Sequence, residues 1–219
     1  MSENAASKGG SENESGSGSD AVPPEALPDE IVDAVPTWEN EYFDRVSDRL
    51  MYNYDLEKDH RVGGERFDLY GELRMEIQKQ FVHPALNYAN HNTEEYLFGK
   101  RVPSLRVSDV QRFVELGHTL ADEWIIADEE HFGTDFTFIL VTESITDDVR
   151  SLVSGFHDRN LLKFGYYGHY EINLIVVDPE SETAVGSMNA DAIEACTLWE
   201  HIAPQKQGIF SRIAHRFWK

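Results

Sequence analysis

The sequence predicts one α+β domain, a mainly antiparallel sheet with helices packed on one side. Three stretches carry that expectation. Residues 67–77 alternate strictly between apolar and polar, and residues 108–124 and 145–157 repeat apolar side chains at helical spacing. Residues 170–186 read as a strand, a tight turn and a returning strand.

Taken in order, the first helix is expected to be capped by Thr37. Its opening turn is acidic (Glu39, Glu41), and Trp38, Tyr42, Val46 and Leu50 recur at helical spacing. From Phe67 the odd positions read Phe, Leu, Gly, Leu, Met, Ile, and the even ones Asp68, Tyr70, Glu72, Arg74, Glu76. Such a strand buries one face and wets the other. Its partners are expected at residues 81–83 and 94–101, on either side of a turn region rich in Pro and Asn. Ser108, with Gln111 at the capping-box position, opens the next helix, whose apolar face is Val110, Phe113, Val114, Gly117, Leu120 and Trp124. A short apolar strand at 136–141 precedes a helix striped by Ile145, Val149, Leu152, Val153 and Phe156. A strand through Tyr170, Ile172, Leu174 and Val176 turns at Asp178-Pro179-Glu180 and returns over 183–186. A weaker helix is expected over 191–202. The domain spans 37–203. Residues 1–36, rich in Ser, Gly, Glu and Pro, have little to bury and are expected to be disordered.

Composition bounds the environment. Asp and Glu number 40 against 19 Lys and Arg, giving a net charge of -21 over 219 residues, and only seven of the basic residues are Lys. In dilute buffer such a surface repels itself. In molar salt the Debye length falls to about 3 Å, and the carboxylates keep the surface hydrated without that penalty. The pattern points to a cytoplasm at very high salt. It argues against a nucleic-acid partner, which needs Lys and Arg clusters to neutralise phosphates. No apolar run is long enough for a membrane span, and no basic-then-apolar leader is visible. The single Cys196 sits among Ala195, Leu198 and Trp199 and reads as a small core residue rather than a nucleophile. No cofactor motif and no metal-ligand spacing stands out, so no cofactor and no metal are expected.

Candidate sites remain. His169, Glu171 and Asn173 share one face of the long strand at steps of about 6.6 Å. His169 and Glu171 are candidates for acid–base work or metal ligation, against the plain alternative of a solvated strand face. Lys163 and Tyr167 share that parity and extend the face unless Gly165 and Gly168 break the strand. The stretch KFGYYGHY suggests an aromatic ligand pocket from Tyr166, Tyr167 and Tyr170, or else a kinked strand covering the core. Asp128, Glu129, Glu130 and His131, with Asp135 nearby, form a second polar run, read as a hydrated loop in preference to a cation site. A nuclease arrangement would need Glu-x-Lys on a strand, which the sequence lacks.

The C-terminus breaks the acidic rule. Residues 206–219, KQGIFSRIAHRFWK, hold four basic residues and no acid. As a helix over 204–219 they place Ile209, Phe210, Ile213 and Phe217 on one side, widened by Trp218, with Arg212 and Arg216 elsewhere. Such a helix docks on a protein partner or a membrane surface, or packs on its own acidic domain. Docking would make a cytoplasmic protein peripheral at the inner face of the membrane.

The stretches FDLYGELRMEI, SDVQRFVELGHTLADEWI and LLKFGYYGHYEINLIVV together resemble an uncharacterised haloarchaeal family over roughly residues 37–200. The resemblance implies habitat and one-domain architecture and brings no assigned activity. Two functions are therefore expected to compete: a non-enzymatic binding or regulatory protein, and a metal-dependent or acid–base enzyme built on His169 and Glu171.

Overall fold

The computed structural model describes residues 35–79 and 89–200. The acidic tail up to residue 34, the strand expected at 81–83 and the basic segment 204–219 lie outside the described residues, as does the end of the helix expected over 191–202.

Helix α1 (Glu41–Leu50) is capped by Asn40, whose side chain accepts from the Phe43 amide at 3.1 Å. Thr37 is therefore not the cap. Trp38 between them is buried, with its indole N–H donating to the Asp68 carbonyl at 2.6 Å, and this fixes the chain's entry into the helix. Strands β1 (Asp55–Val62) and β2 (Glu65–Lys79) form a hairpin absent from the sequence expectation. The Gly63-Gly64 pair makes it possible: both have positive φ (57° and 79°), as a two-residue hairpin turn demands. Strand β3 (Ala89–Arg101) pairs antiparallel with β2.

Helix α2 (Val107–Trp124) opens one residue before Ser108. The carboxylate at its third position, Asp109 rather than Gln111, accepts from the Arg106 amide at 3.1 Å. The helix carries the chain over to β4 (His131–Val141), which runs parallel to β3. Helix α3 (Asp147–Ser154), capped by Thr146, and the short edge strand β5 (Asp158–Leu161) lead to β6 (His169–Asp178). Strand β6 runs parallel to β4 and antiparallel to both β5 and β7 (Thr183–Gly186), which share its outer edge. The last helix, α4, is a single turn (Ile193–Cys196).

The result is an α+β domain around one seven-stranded sheet, in order β1-β2-β3-β4-β6-β5 with β7 also on β6. Four of the six strand pairings are antiparallel. The two parallel pairs at the centre follow from the α2 and α3 crossovers, since parallel neighbours need such connections. One detail of the expected architecture needs correcting. Helices α2 and α3 cover one face with Phe113, Leu120, Val149 and Val153, while α1 and α4 cover the other with Phe43, Val46, Leu50 and Cys196. Both faces need cover because β4 and β6 are apolar on both, through Phe136, Phe138 and Leu174 on one and Ile139, Ile175 and Val177 on the other.

Candidate functional site

The strand face bearing His169, Glu171 and Asn173 is not wet. It looks toward α1 and α4, and the three residues are 4%, 1% and 3% exposed. The pairing register explains what they meet there. Glu95 of β3 lies opposite Asp135 of β4, Asp135 opposite Glu171 of β6, and Glu171 opposite Arg159 of β5. Three carboxylates and a guanidinium thus cross four adjacent strands in one row, at the inter-strand spacing of about 4.8 Å. All three acids are buried.

The row is held from both ends. Arg159 Nη1 lies 3.2 Å from Glu171 Oε1, and Asn189 donates to the other oxygen of Glu171 at 2.8 Å. His169 Nε2 is 3.7 Å from Glu171 Oε1, and its Nδ1 is 3.4 Å from Arg159 Nη2. At the far end Tyr54 donates to Glu95 at 2.6 Å in a buried contact. Burial, reinforced by the Glu95 carboxylate, pushes the Tyr54 phenol well above its ordinary range. Among the described residues no three His, Cys, Asp or Glu side chains are placed to hold a metal ion.

At the β5 edge the row opens into a cleft of about 310 Å³, lined by Glu129, His131, Phe132, Arg159, Leu161, Gly165, Tyr166, Gly168 and His169. Arg159, with 39% of its side chain exposed, is the link between buried row and open cleft. His131 borders the same space; its Nδ1 meets the Tyr167 carbonyl at 2.6 Å and its Nε2 the Thr134 hydroxyl at 2.9 Å.

The candidates from sequence sort into two groups. His169 and Glu171 meet around Arg159, and Asn173 shares their face one step along, opposite Thr137. Lys163 and Tyr167 do not extend the strand. They lie in the loop before it, where a short 3-10 turn (Leu162–Gly165) puts Lys163 and Phe164 at φ 48° and 59°. Tyr166 projects into the cleft's rim, but Tyr170 points to the opposite face, with its hydroxyl 3.0 Å from His118 Nδ1, so the three tyrosines form no common pocket. Gly168 marks a close backbone approach, as its position suggested, though to the protein itself. A Cβ there would sit 2.1 Å from the Phe132 carbonyl oxygen, at φ 74°.

The acidic run divides as well. Asp128 closes its own turn by accepting from the Glu130 and His131 amides, each at 3.0 Å, while Asp135 belongs to the buried row. Cys196 is fully buried, and burial pushes its thiol up to about 12, as befits a core residue. Sequence reasoning missed Glu95 and Arg159. Glu95 follows Glu94 in TEEYLF, and only its parity with Leu97 on the strand tells the buried acid from its neighbour. Arg159 stayed hidden because β5 is only four residues long.

A family model described as a domain of unknown function (DUF8052) matches residues 39–198. No curated protein and no solved structure matches the chain. Among the described residues no helix is long and apolar enough to cross a membrane.

Proposed function

The chain belongs to the DUF8052 family of unknown function, and from its own residues we propose that it is a non-enzymatic binding protein that holds a small anionic ligand in the cleft over Arg159. The observation that carries this reading is the setting of Arg159. Its guanidinium is partly exposed in the cleft and oriented from behind by a buried carboxylate, with His169 beside it and His131 and Glu129 elsewhere in the lining. A guanidinium presents five N–H donors in a fixed fork, and Glu171 and His169 occupy only the inward part of it. The outward donors suit a carboxylate or phosphate, which they can grip with two parallel hydrogen bonds.

Acid–base catalysis by His169 and Glu171 is the competing reading. It requires the carboxylate to face a substrate, whereas Glu171 is 1% exposed and bonded to Arg159 and Asn189. That placement favours an orienting role. The charge of -21, spread over the chain, supports a haloarchaeal cytoplasm as the working environment. The basic residues 206–219 support docking on a membrane surface or partner, with fractionation after their deletion as the test.

The ligand reading is tested by thermal unfolding of the full chain in constant molar KCl, with phosphate or acetate added. Phosphate stabilises many proteins by exclusion from their surface, so the informative quantity is the difference between variants. The wild type should gain more stability than Arg159→Ala, and Arg159→Lys, which keeps the charge without the fork, should fall between them. Equal gains in all three proteins would overturn the reading.

A further inference from the structure

We infer that the loop 161–168 is an aromatic recognition wall, and that the ligand is a planar aromatic ring carrying the anionic group. This inference rests on the anion cleft proposed above and adds what the other half of the ligand must be. Six large hydrophobic residues are exposed among the described residues, and three of them fall together here, Leu161 at the end of β5 and Phe164 and Tyr166 in the loop that follows. Phe164 is 96% and Tyr166 85% exposed, although a fold with two apolar cores offers them places to hide. Scattered surface hydrophobics need no explanation, but Leu161 and Tyr166 line the cleft, with Phe164 between them in the chain, and exposed apolar side chains at a cleft mark a binding surface.

The loop is built to hold this display. Its backbone closes on itself: the Leu162 amide donates to the Gly168 carbonyl at 3.0 Å, the Tyr166 amide to the Lys163 carbonyl at 3.2 Å and the Tyr167 amide to the Leu162 carbonyl at 3.3 Å. His131 pins it from β4 through the Tyr167 carbonyl. Within it Lys163 and Phe164 both adopt the left-handed conformation that side chains disfavour, at a cost on the order of 1–3 kcal/mol each. Strain of that kind persists where surrounding contacts over-determine it, and here it turns Phe164 outward instead of into the core.

Charge selects among occupants. The cleft is lined by one cation, Arg159, and one acid, Glu129, with His131 and His169 between them, in a protein of net charge -21. A ligand spanning the floor and the rim therefore carries its anion to Arg159 and lays a flat face against Tyr166. Aromatic side chains offer large, rigid contact at little entropic cost, and an offset-stacked or edge-to-face pair adds roughly 0.5–1.5 kcal/mol beyond burial.

The test is calorimetric titration of the full chain, in constant molar KCl, with benzoate and with cyclohexanecarboxylate, two carboxylates of similar size of which one is planar. The wild type should bind benzoate about tenfold more tightly. In the double variant Phe164→Ser, Tyr166→Ser, which alters only exposed side chains, that ratio should fall to near one, with circular dichroism confirming the fold. Equal affinity in the wild type, or a ratio that survives the double variant, overturns the aromatic wall and leaves the anion site standing. Affinity for both carboxylates that is the same in Arg159→Ala overturns the anion site, and the wall with it.

Discussion

On one face of the sheet, Phe98 of β3 stacks on Phe138 of β4 at 5.2 Å, Phe67 leans on Phe98 at 5.1 Å, and Tyr96 stacks on Phe136 at 5.5 Å. One residue along the same strands, on the other face, Glu95, Asp135 and Glu171 lie side by side. Both sets are buried and both are covered by helices. The first set needs nothing but close packing. The second keeps three acids out of water, and two of them are met by named donors: Tyr54 for Glu95, Arg159 and Asn189 for Glu171. The rest of that second face is apolar, through Leu97, Ile139 and Ile175, and well-packed apolar groups commonly equal or better a buried ion pair, so stability alone does not call for the acidic row. On the proposed function, the difference between the faces sets a row that serves the cleft at Arg159 against packing that serves the fold alone.

Three substitutions probe the two faces and the cleft. The largest effect belongs to the aromatic face. Phe138 is fully buried against Phe67, Phe98 and Phe113, and Phe138→Ala should cost about 3–5 kcal/mol in urea unfolding at high salt. A loss below about 1 kcal/mol would mean that this face is not the chief source of stability.

Next comes the polar row. Tyr54→Phe removes the hydrogen bond to a buried carboxylate and should cost about 1.5–3 kcal/mol at neutral pH. The same variant carries a pH signature. The folded-state pKa of Tyr54 is raised, so its stabilisation is complete below the unfolded value near 10 and is lost as pH rises beyond it. Stability of the wild type should therefore fall above about pH 10, and more gently in Tyr54→Phe. A residual slope is expected from Tyr42, Tyr70 and Tyr96, whose phenols burial also pushes up. Parallel alkaline slopes in the two proteins would contradict the assignment to Tyr54.

The smallest effect belongs to the cleft rim. Tyr166→Ser touches an exposed side chain and should change stability by no more than about 0.5 kcal/mol. A substantial loss would place Tyr166 in the scaffold and weaken its claim to recognition.

Much of the scaffold was legible from local pattern. The alternation of 67–77 became part of β2, and the hairpin of β6 and β7 falls where Asp178-Pro179-Glu180 put it. The stripe of Val110, Phe113 and Leu120 faces the core from α2. What local pattern cannot give is which strands become neighbours. β3, β4 and β6 pair across long stretches of chain, so the meeting of Glu95, Asp135 and Glu171 is a property of topology. The same limit explains the misplaced wet face. Polar residues alternating on a strand usually mean solvent, whereas here Arg159 and Asn189 close over Glu171, and Phe132 packs on His169. Parity alone puts Lys163 in the site, and the turn at Leu162–Gly165 cancels parity before the strand begins.

The central claim, that the polar face opens onto a ligand site at Arg159, is met most directly by an NMR titration of the isotopically labelled full chain with benzoate in constant molar KCl. Saturable shifts should concentrate on residues 129–132 and 159–169, while Phe98, Phe113 and Phe138 on the opposite face stay in place. Shifts that spare residues 159–169, or that spread evenly over the surface without saturating, would contradict it.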